Sequence, residues 1–294
     1  MRLSPGLKRA LHWVGGALAV LGIAFVVLRL REYGVGPGLD LGWRGWLSVG
    51  ILASVYGAAN LMLAGAWWHL LEQYGGGVSL RWAVRTYGVS QIAKYVPGNI
   101  FHLAGRQALG VAAEVPAWPL AKSAVWELGL LSGAGALYGF LVLPAFVPGL
   151  AAAAGTLMFL AALVLSLVLL RRRAGPQAAL AFAWHLGFLA VSGLVFAVLA
   201  VLMQAVVPPT PWLMLVGAYV LAWLAGVLTP GAPAGVGVRE LVLLLLLDGR
   251  VTEAALVQAV VLGRVVTVAG DLGFLLLAWL MKGGPAWPGG DRVD

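Results

Sequence analysis

Long apolar runs separated by short polar punctuation dominate the chain, and each run is close to the roughly 20 residues needed to cross a 30 Å hydrocarbon core as a helix. The pattern predicts spans at about Leu11 to Leu28, Trp46 to Leu71, Pro119 to Leu143, Leu150 to Leu170, Ala178 to Val206, Trp212 to Leu228 and Ala254 to Met281. The first run follows Lys8 and Arg9 as a signal peptide would. It ends in Val-Val-Leu-Arg-Leu-Arg with no small-x-small cleavage site, so it reads as an uncleaved span. Trp43, Trp46, Trp67, Trp68, Trp118, Trp212 and Trp279 fall at run borders, where aromatic rings meet lipid headgroups. Gly129, Gly133, Gly135 and Gly139 repeat at four-residue spacing in the third run, which allows close helix packing.

Composition removes a soluble globule from consideration. Of 294 residues, 62% are hydrophobic and only 10% charged, and the mean hydropathy is +0.95, so there is too little polar surface to coat a soluble fold. The expected fold class is therefore an all-α, polytopic membrane bundle of about seven to eight spans in a single domain over residues 1–294. With no cysteine, disulfides, thiolate metal sites and thiol redox chemistry are excluded. The net charge of +8 does not point to nucleic acid, because the basic residues cluster beside apolar runs (Arg2, Lys8, Arg9; Arg171, Arg172, Arg173). Such clusters set orientation, so both are expected on the cytoplasmic side, with the N-terminus inside. If they are, the segment from Glu72 to Ala117 must begin and end inside, entering the membrane and returning or lying on its surface.

That segment holds the first of two interruptions, Ser90-Gln-Ile-Ala-Lys-Tyr-Val-Pro-Gly-Asn-Ile-Phe-His-Leu-Ala-Gly-Arg106. Pro97 and Gly98 break any helix there; Tyr87, Ser90 and Lys94 share one helical face upstream, and Asn99, His102 and Arg106 another downstream. The second interruption, Leu228 to Glu240, carries Pro230, Gly231, Gly235 and Gly237. A shift of 133 residues maps Pro97, Gly98 and Arg106 onto Pro230, Gly231 and Arg239, suggesting an internal repeat over about 46–143 and 178–281, with 282–294 as a tail. Paired broken segments point to a transporter-type site, since a broken helix exposes amides and a partial positive charge to an anionic group, and arginine adds a bidentate phosphate donor. The plainer reading is a pair of interfacial Pro/Gly loops. If only the second motif re-enters, Asp294 lies outside; if the Leu241 run also crosses, it lies inside.

Glu127, Arg264 and Asp271 fall inside spans, at about 2.5 to 3.5 kcal/mol each on insertion scales. They must pair or line water, either around a polar cavity with Arg106 and Arg239 or as a structural ion pair. Lys122 and Arg250 sit nearer span ends and can snorkel. His69 and His185 read as interfacial or core residues, and no ligand set supports a metal or other cofactor.

The first interruption resembles the KYxPGxxxxxxGR signature of the lysylphosphatidylglycerol synthase transmembrane region, or flippase-like domain, family. Pro230-Gly231 through Glu240 resembles its second signature, PGGxGxRE, with Pro233 intervening. The resemblance spans about Leu11 to Met281. It implies an inner-membrane protein that moves or handles lipids such as aminoacylated phosphatidylglycerol or polyprenyl phosphates; with the chain ending at Asp294, the family's synthase activity is not expected. The expected function is a flippase-like transporter of the bacterial cytoplasmic membrane whose partner is an anionic phospholipid or lipid phosphate. Arg106 and Arg239 would hold the phosphate, Lys94, Asn99, His102 and Glu240 would complete the headgroup site, and Glu127, Arg264 and Asp271 would couple or brace it. The alternatives are a membrane enzyme acting on a lipid-linked sugar or phosphate, for which Glu127, Asp271, Glu240 and His102 are the acid/base candidates, and a non-catalytic membrane partner.

Overall fold

A computed structural model describes residues 41–96, 100–229, 235 and 237–281. The expected first span, Leu11 to Leu28, and the 282–294 tail lie outside the described residues. The rest forms an all-α membrane bundle: α1 (Gly42–Gln73), α2 (Leu80–Gln91) continued by a 3-10 turn (Ile92–Tyr95), α3 (Phe101–Ala112), α4 (Ala117–Leu137) with the short α5 (Gly139–Val142), α6 (Ala152–Arg173), α7 (Pro176–Leu202), α8 (Trp212–Leu228), α9 (Val238–Leu246) and α10 (Glu253–Leu280). Among the described residues, α1, α4 with its extension to Ala145, α6, α7 and α10 are long and apolar enough to cross a membrane, and α8 is a shorter apolar helix.

Local chemistry sets the helix starts. Ser79 caps α2 by accepting from the Trp82 amide at 3.2 Å. Pro176 opens α7 with its φ already helical, just after Gly175 turns the chain at φ +104°. α6 buries only Gly155 along its whole length; Leu163, Leu167 and Leu170 pack against the core, and Leu157, Leu160, Val164, Leu165, Val168 and Leu169 face outward to lipid. α1 is the opposite case, packing broadly on α7 and α10 and burying Trp67, Leu70 and Leu71.

Side-chain contacts fix the path of both interrupted segments. At the end of α1, Gln73 Nε2 donates to Ala174 O (2.8 Å) just ahead of α7, so α1 ends where the Arg171–Arg173 cluster sits, and α1 and α7 run antiparallel. α4 starts at that same end: Trp67 Nε1 donates to Ser123 Oγ (3.1 Å) and the Lys122 ammonium lies 4.9 Å from the Tyr74 ring. The segment between α1 and α4 therefore enters the bundle and returns. At the opposite end, Val207 N donates to Arg250 O (2.9 Å) and Thr252 N to Ala205 O (2.8 Å), so the segment between α7 and α10 also leaves and returns at one end. α8 is thus one arm of a hairpin, α9 its return, and α10 comes back to the arginine end, where the α10 residues Phe274 and Ala278 meet Gly88 of α2. The end of α10 thus shares the side of Arg171–Arg173, and Trp212–Leu228, expected as a span, is instead one arm of a re-entrant hairpin.

Helix order recurs. The starts of α1, α2, α3 and α4 and of α7, α8, α9 and α10 lie 132 to 137 residues apart. Each contact in one half has its counterpart in the other: α1–α4 with α7–α10, α2–α3 with α8–α9, and, between halves, α4–α7 with α1–α10 and α2–α10 with α4–α8. Because α1 and α7 are antiparallel, the halves are inverted, an arrangement that brings two hairpins in from opposite faces to meet at mid-depth.

Small residues set the closest crossings. A Cβ on Gly57 would lie 2.9 Å from Gly270 O, and one on Gly270 2.7 Å from Ala53 O, so α1 and α10 touch backbone to backbone. Gly270→Ala is expected to destabilise the protein by about 1 to 3 kcal/mol, since no side chain can rotate away; a thermal melt in detergent checks it. In α4 and α5, Gly133, Gly135 and Gly139 face Phe182, Leu224 and Leu221, as the spacing predicts, whereas Gly129 faces open space.

Candidate functional site

Residues beside the two breaks, Lys94 and Tyr95 in one hairpin and Gly235 and Glu240 in the other, meet α10 near its centre. Arg264 is about 16 Å from one end of this helix and Asp271 about 14 Å from the other, at 1.5 Å per residue. Each binds a different hairpin. Asp271 Oδ2 lies 2.7 Å from Lys94 Nζ and accepts from Tyr95 OH at 2.5 Å, while its Oδ1 accepts from Asn60 Nδ2 at 3.2 Å. Arg264 Nη2 donates to Glu240 Oε1 (2.8 Å) and to Gly235 O (3.3 Å). A third pair ties the first hairpin to α4: Arg106 Nη1 donates to Glu127 Oε2 at 2.5 Å, and Tyr87 OH to Glu127 Oε1 at 2.9 Å. The Arg106 guanidinium also lies 3.7 Å from the centre of the Tyr87 ring and 5.2 Å from that of Trp67, which replaces lost water by π contact.

Between these pairs lies a cavity of about 300 Å³. Lys94, Arg239 and Arg264 reach it as cations; Glu127, already held by Arg106, is the carboxylate among its lining residues. His102 and Gln91 also line it, and His102 Nδ1 and Gln91 Oε1 are buried without a hydrogen-bond partner. Ile100, His102 and Leu103, in and just before the first turn of α3, line it as well, so the positive end of that helix dipole adds to the cationic character. Arg239 is buried, with its guanidinium 5.7 Å from the Tyr219 ring centre. The rim is apolar: Ile100, Leu128 and Leu228 line the cavity and are 62%, 43% and 52% exposed. The mouth therefore opens sideways between α4, the start of α3 and the end of α8, toward lipid.

Several residues singled out in the sequence take different places from those expected. Arg106 does not reach the cavity, because Glu127 and the two aromatic rings hold it behind the wall; Arg264 lines it, as the cavity reading of the intramembrane charges expected. Glu240 and Asp271 likewise sit behind the cavity, each bonded to a cation that faces it. α9 starts at Val238 with Gly237 as its N-cap, and the Gly237 amide donates to Glu240 Oε2 (2.7 Å), so that donor is occupied by the chain itself. Gly235 has φ +71° and lies so close to Gly226 that a Cβ on either would meet the other's Cα within 3 Å, which is why only glycine fits there. Asn99, Pro97, Gly98, Pro230 and Gly231 lie outside the described residues. Sequence reasoning passed over Asn60, Tyr56 and Tyr95; the signal for Asn60 was a lone amide inside a 32-residue apolar helix.

The arrangement suits electrostatic capture of an anion at mid-depth: Lys94 and Arg264 face the space with Asp271 and Glu240 behind them, Arg239 adds a third cation, and the one carboxylate among the described lining residues, Glu127, is held by Arg106. Among the described residues no group of three or more His, Asp or Glu side chains is placed to hold a metal ion. No protein-family model, curated protein or solved structure matches the chain.

Proposed function

We propose that the protein is a flippase-like transporter that carries the headgroup of an anionic phospholipid or lipid phosphate across the bacterial cytoplasmic membrane. The observation that carries this reading is the convergence of Lys94, Arg239 and Arg264 on a mid-depth cavity whose mouth is apolar and open to lipid. At about 300 Å³ the space is at the low end of ligand pockets, large enough for a phosphate headgroup and too small for whole acyl chains. The chains would stay outside, leaving past Ile100, Leu128 and Leu228 into the bilayer. The resemblance of the two broken segments to the flippase-like domain signatures supports the same substrate class, and the inverted halves supply an architecture in which such a site can face either side in turn. The Arg171–Arg173 end, by the positive-inside rule, is cytoplasmic, which with the expected first span puts the N-terminus inside.

Native mass spectrometry of protein offered an equimolar mixture of phosphatidylglycerol and phosphatidylcholine tests the binding half of this proposal. Preferential retention of phosphatidylglycerol, weakening as ionic strength rises, is the expected result. Equal retention of both would contradict an anion site.

A further inference from the structure

The halves match in helix order but not in packing. The seam between α4 and α8 is held at one end, where Gly135 faces Leu224 and Gly139 faces Leu221, and is parted farther along, where Leu128 and Leu131 of α4 and Trp223 and Val227 of α8 line the cavity. Its counterpart between α2 and α10 is closed. Gly88 lies against Ala278 and Phe274 so tightly that a Cβ there would meet Ala278 Cβ at 2.5 Å. Beyond it Ile92, Tyr95 and Val268 form a buried apolar cluster backed by Leu272 and Leu275. The Lys94–Asp271 pair, with Tyr95 and Asn60 on the same carboxylate, fastens this seam.

The fastening is one-sided. The residue 133 places after Lys94 is Val227, and the residue 133 places before Asp271 is Tyr138, so the open seam has no ion pair at the matching site. Access is one-sided too: the Lys94 side chain is 18% exposed and lines the cavity, whereas that of Asp271 is 1% exposed and lies behind it. An anion entering the cavity reaches the cation but not the carboxylate.

We propose that the α2–α10 seam is the second mouth of the same cavity and that Lys94 is its latch, exchanging Asp271 for a lipid phosphate and so freeing the seam to part. The proposal rests on the reading of the cavity as a lipid-phosphate site. By the inverted relation of the halves, parting α2 from α10 while closing α4 on α8 would exchange the roles of the two seams and turn the cavity to the other side. The anion shifts this equilibrium only because it binds Lys94 more strongly when Asp271 has let go.

The absence of cysteine makes the seam directly readable. Val268→Cys puts a single thiol into the buried cluster, at a position 7% exposed, and Leu128→Cys puts one on the open rim as a folding control. Alkylation by N-ethylmaleimide is timed in phosphatidylcholine nanodiscs with and without phosphatidylglycerol. The Val268→Cys rate is expected to rise at least tenfold with phosphatidylglycerol, to be high in both lipids once Lys94→Gln is added, and to keep its lipid dependence with Lys94→Arg. An unchanged rate with lipid in protein whose Leu128→Cys reacts normally overturns the latch, whether or not Lys94→Gln folds. Lipid-dependent opening without lipid translocation would leave the latch standing and remove the transport reading. Translocation with Val268→Cys unreactive throughout would do the reverse.

Discussion

Glu127→Gln is expected to lower stability by about 3 to 5 kcal/mol, the largest single effect on folding that the structure implies. The side chains of Arg106 and Glu127 are 1% and 6% exposed, and Glu127 gathers both the guanidinium and the Tyr87 hydroxyl. Removing its charge leaves a buried cation facing two aromatic rings and a neutral amide, too little to replace water around a guanidinium. Arg106→Met together with Glu127→Met removes both charges and keeps volume, so it should recover most of the loss. Thermal melts of wild type, Glu127→Gln and the double variant in one detergent check this. A single variant as stable as wild type would show that the pair does not hold α3 on α4.

Arg239→Gln is expected to reduce lipid translocation by tenfold or more with little change in melting temperature compared with Glu127→Gln. A hydrogen bond between an ionised donor and a phosphate contributes about 1.5 to 3 kcal/mol, which corresponds to roughly 10- to 150-fold in binding. Arg239 lines the cavity at the start of α9, and glutamine keeps a donor on a shorter side chain while losing the charge and the fork. Arg239→Lys keeps the charge but not the bidentate geometry and should fall between the two. Initial rates with a fixed lipid separate the three proteins, and equal rates would remove Arg239 from the headgroup site.

The helical architecture was readable because spanning a bilayer leaves so strong a mark on composition. Helix ends came within a few residues for the long runs, as with Ala254 to Met281 against Glu253–Leu280. The two Pro/Gly breaks and the shift of 133 residues pointed to hairpins and a repeat, since backbone that cannot stay helical is tolerated at depth only where protein covers it. Ion pairing was not readable. Seven charges, Lys94, Arg106, Glu127, Arg239, Glu240, Arg264 and Asp271, can be combined in many ways, and which cation meets which carboxylate depends on how deep each hairpin reaches along α4 and α10. Hence Arg106, placed by its motif in the phosphate site, turned out to serve Glu127. The side on which α10 ends was equally hidden, because it rests on Ala205 meeting Thr252 and Val207 meeting Arg250, contacts between residues some 45 positions apart.

Translocation by purified protein in proteoliposomes tests the account's central claim most directly. Labelled phosphatidylglycerol, its aminoacylated form, a polyprenyl phosphate and phosphatidylcholine would be compared in identical vesicles, with Arg239→Gln as the paired control. Selective movement of phosphatidylglycerol, its aminoacylated form or the polyprenyl phosphate over phosphatidylcholine, and its loss in the variant, is the expected result. Movement of none of them by folded protein, with or without a proton gradient, or equal movement of phosphatidylcholine by both proteins, would contradict it.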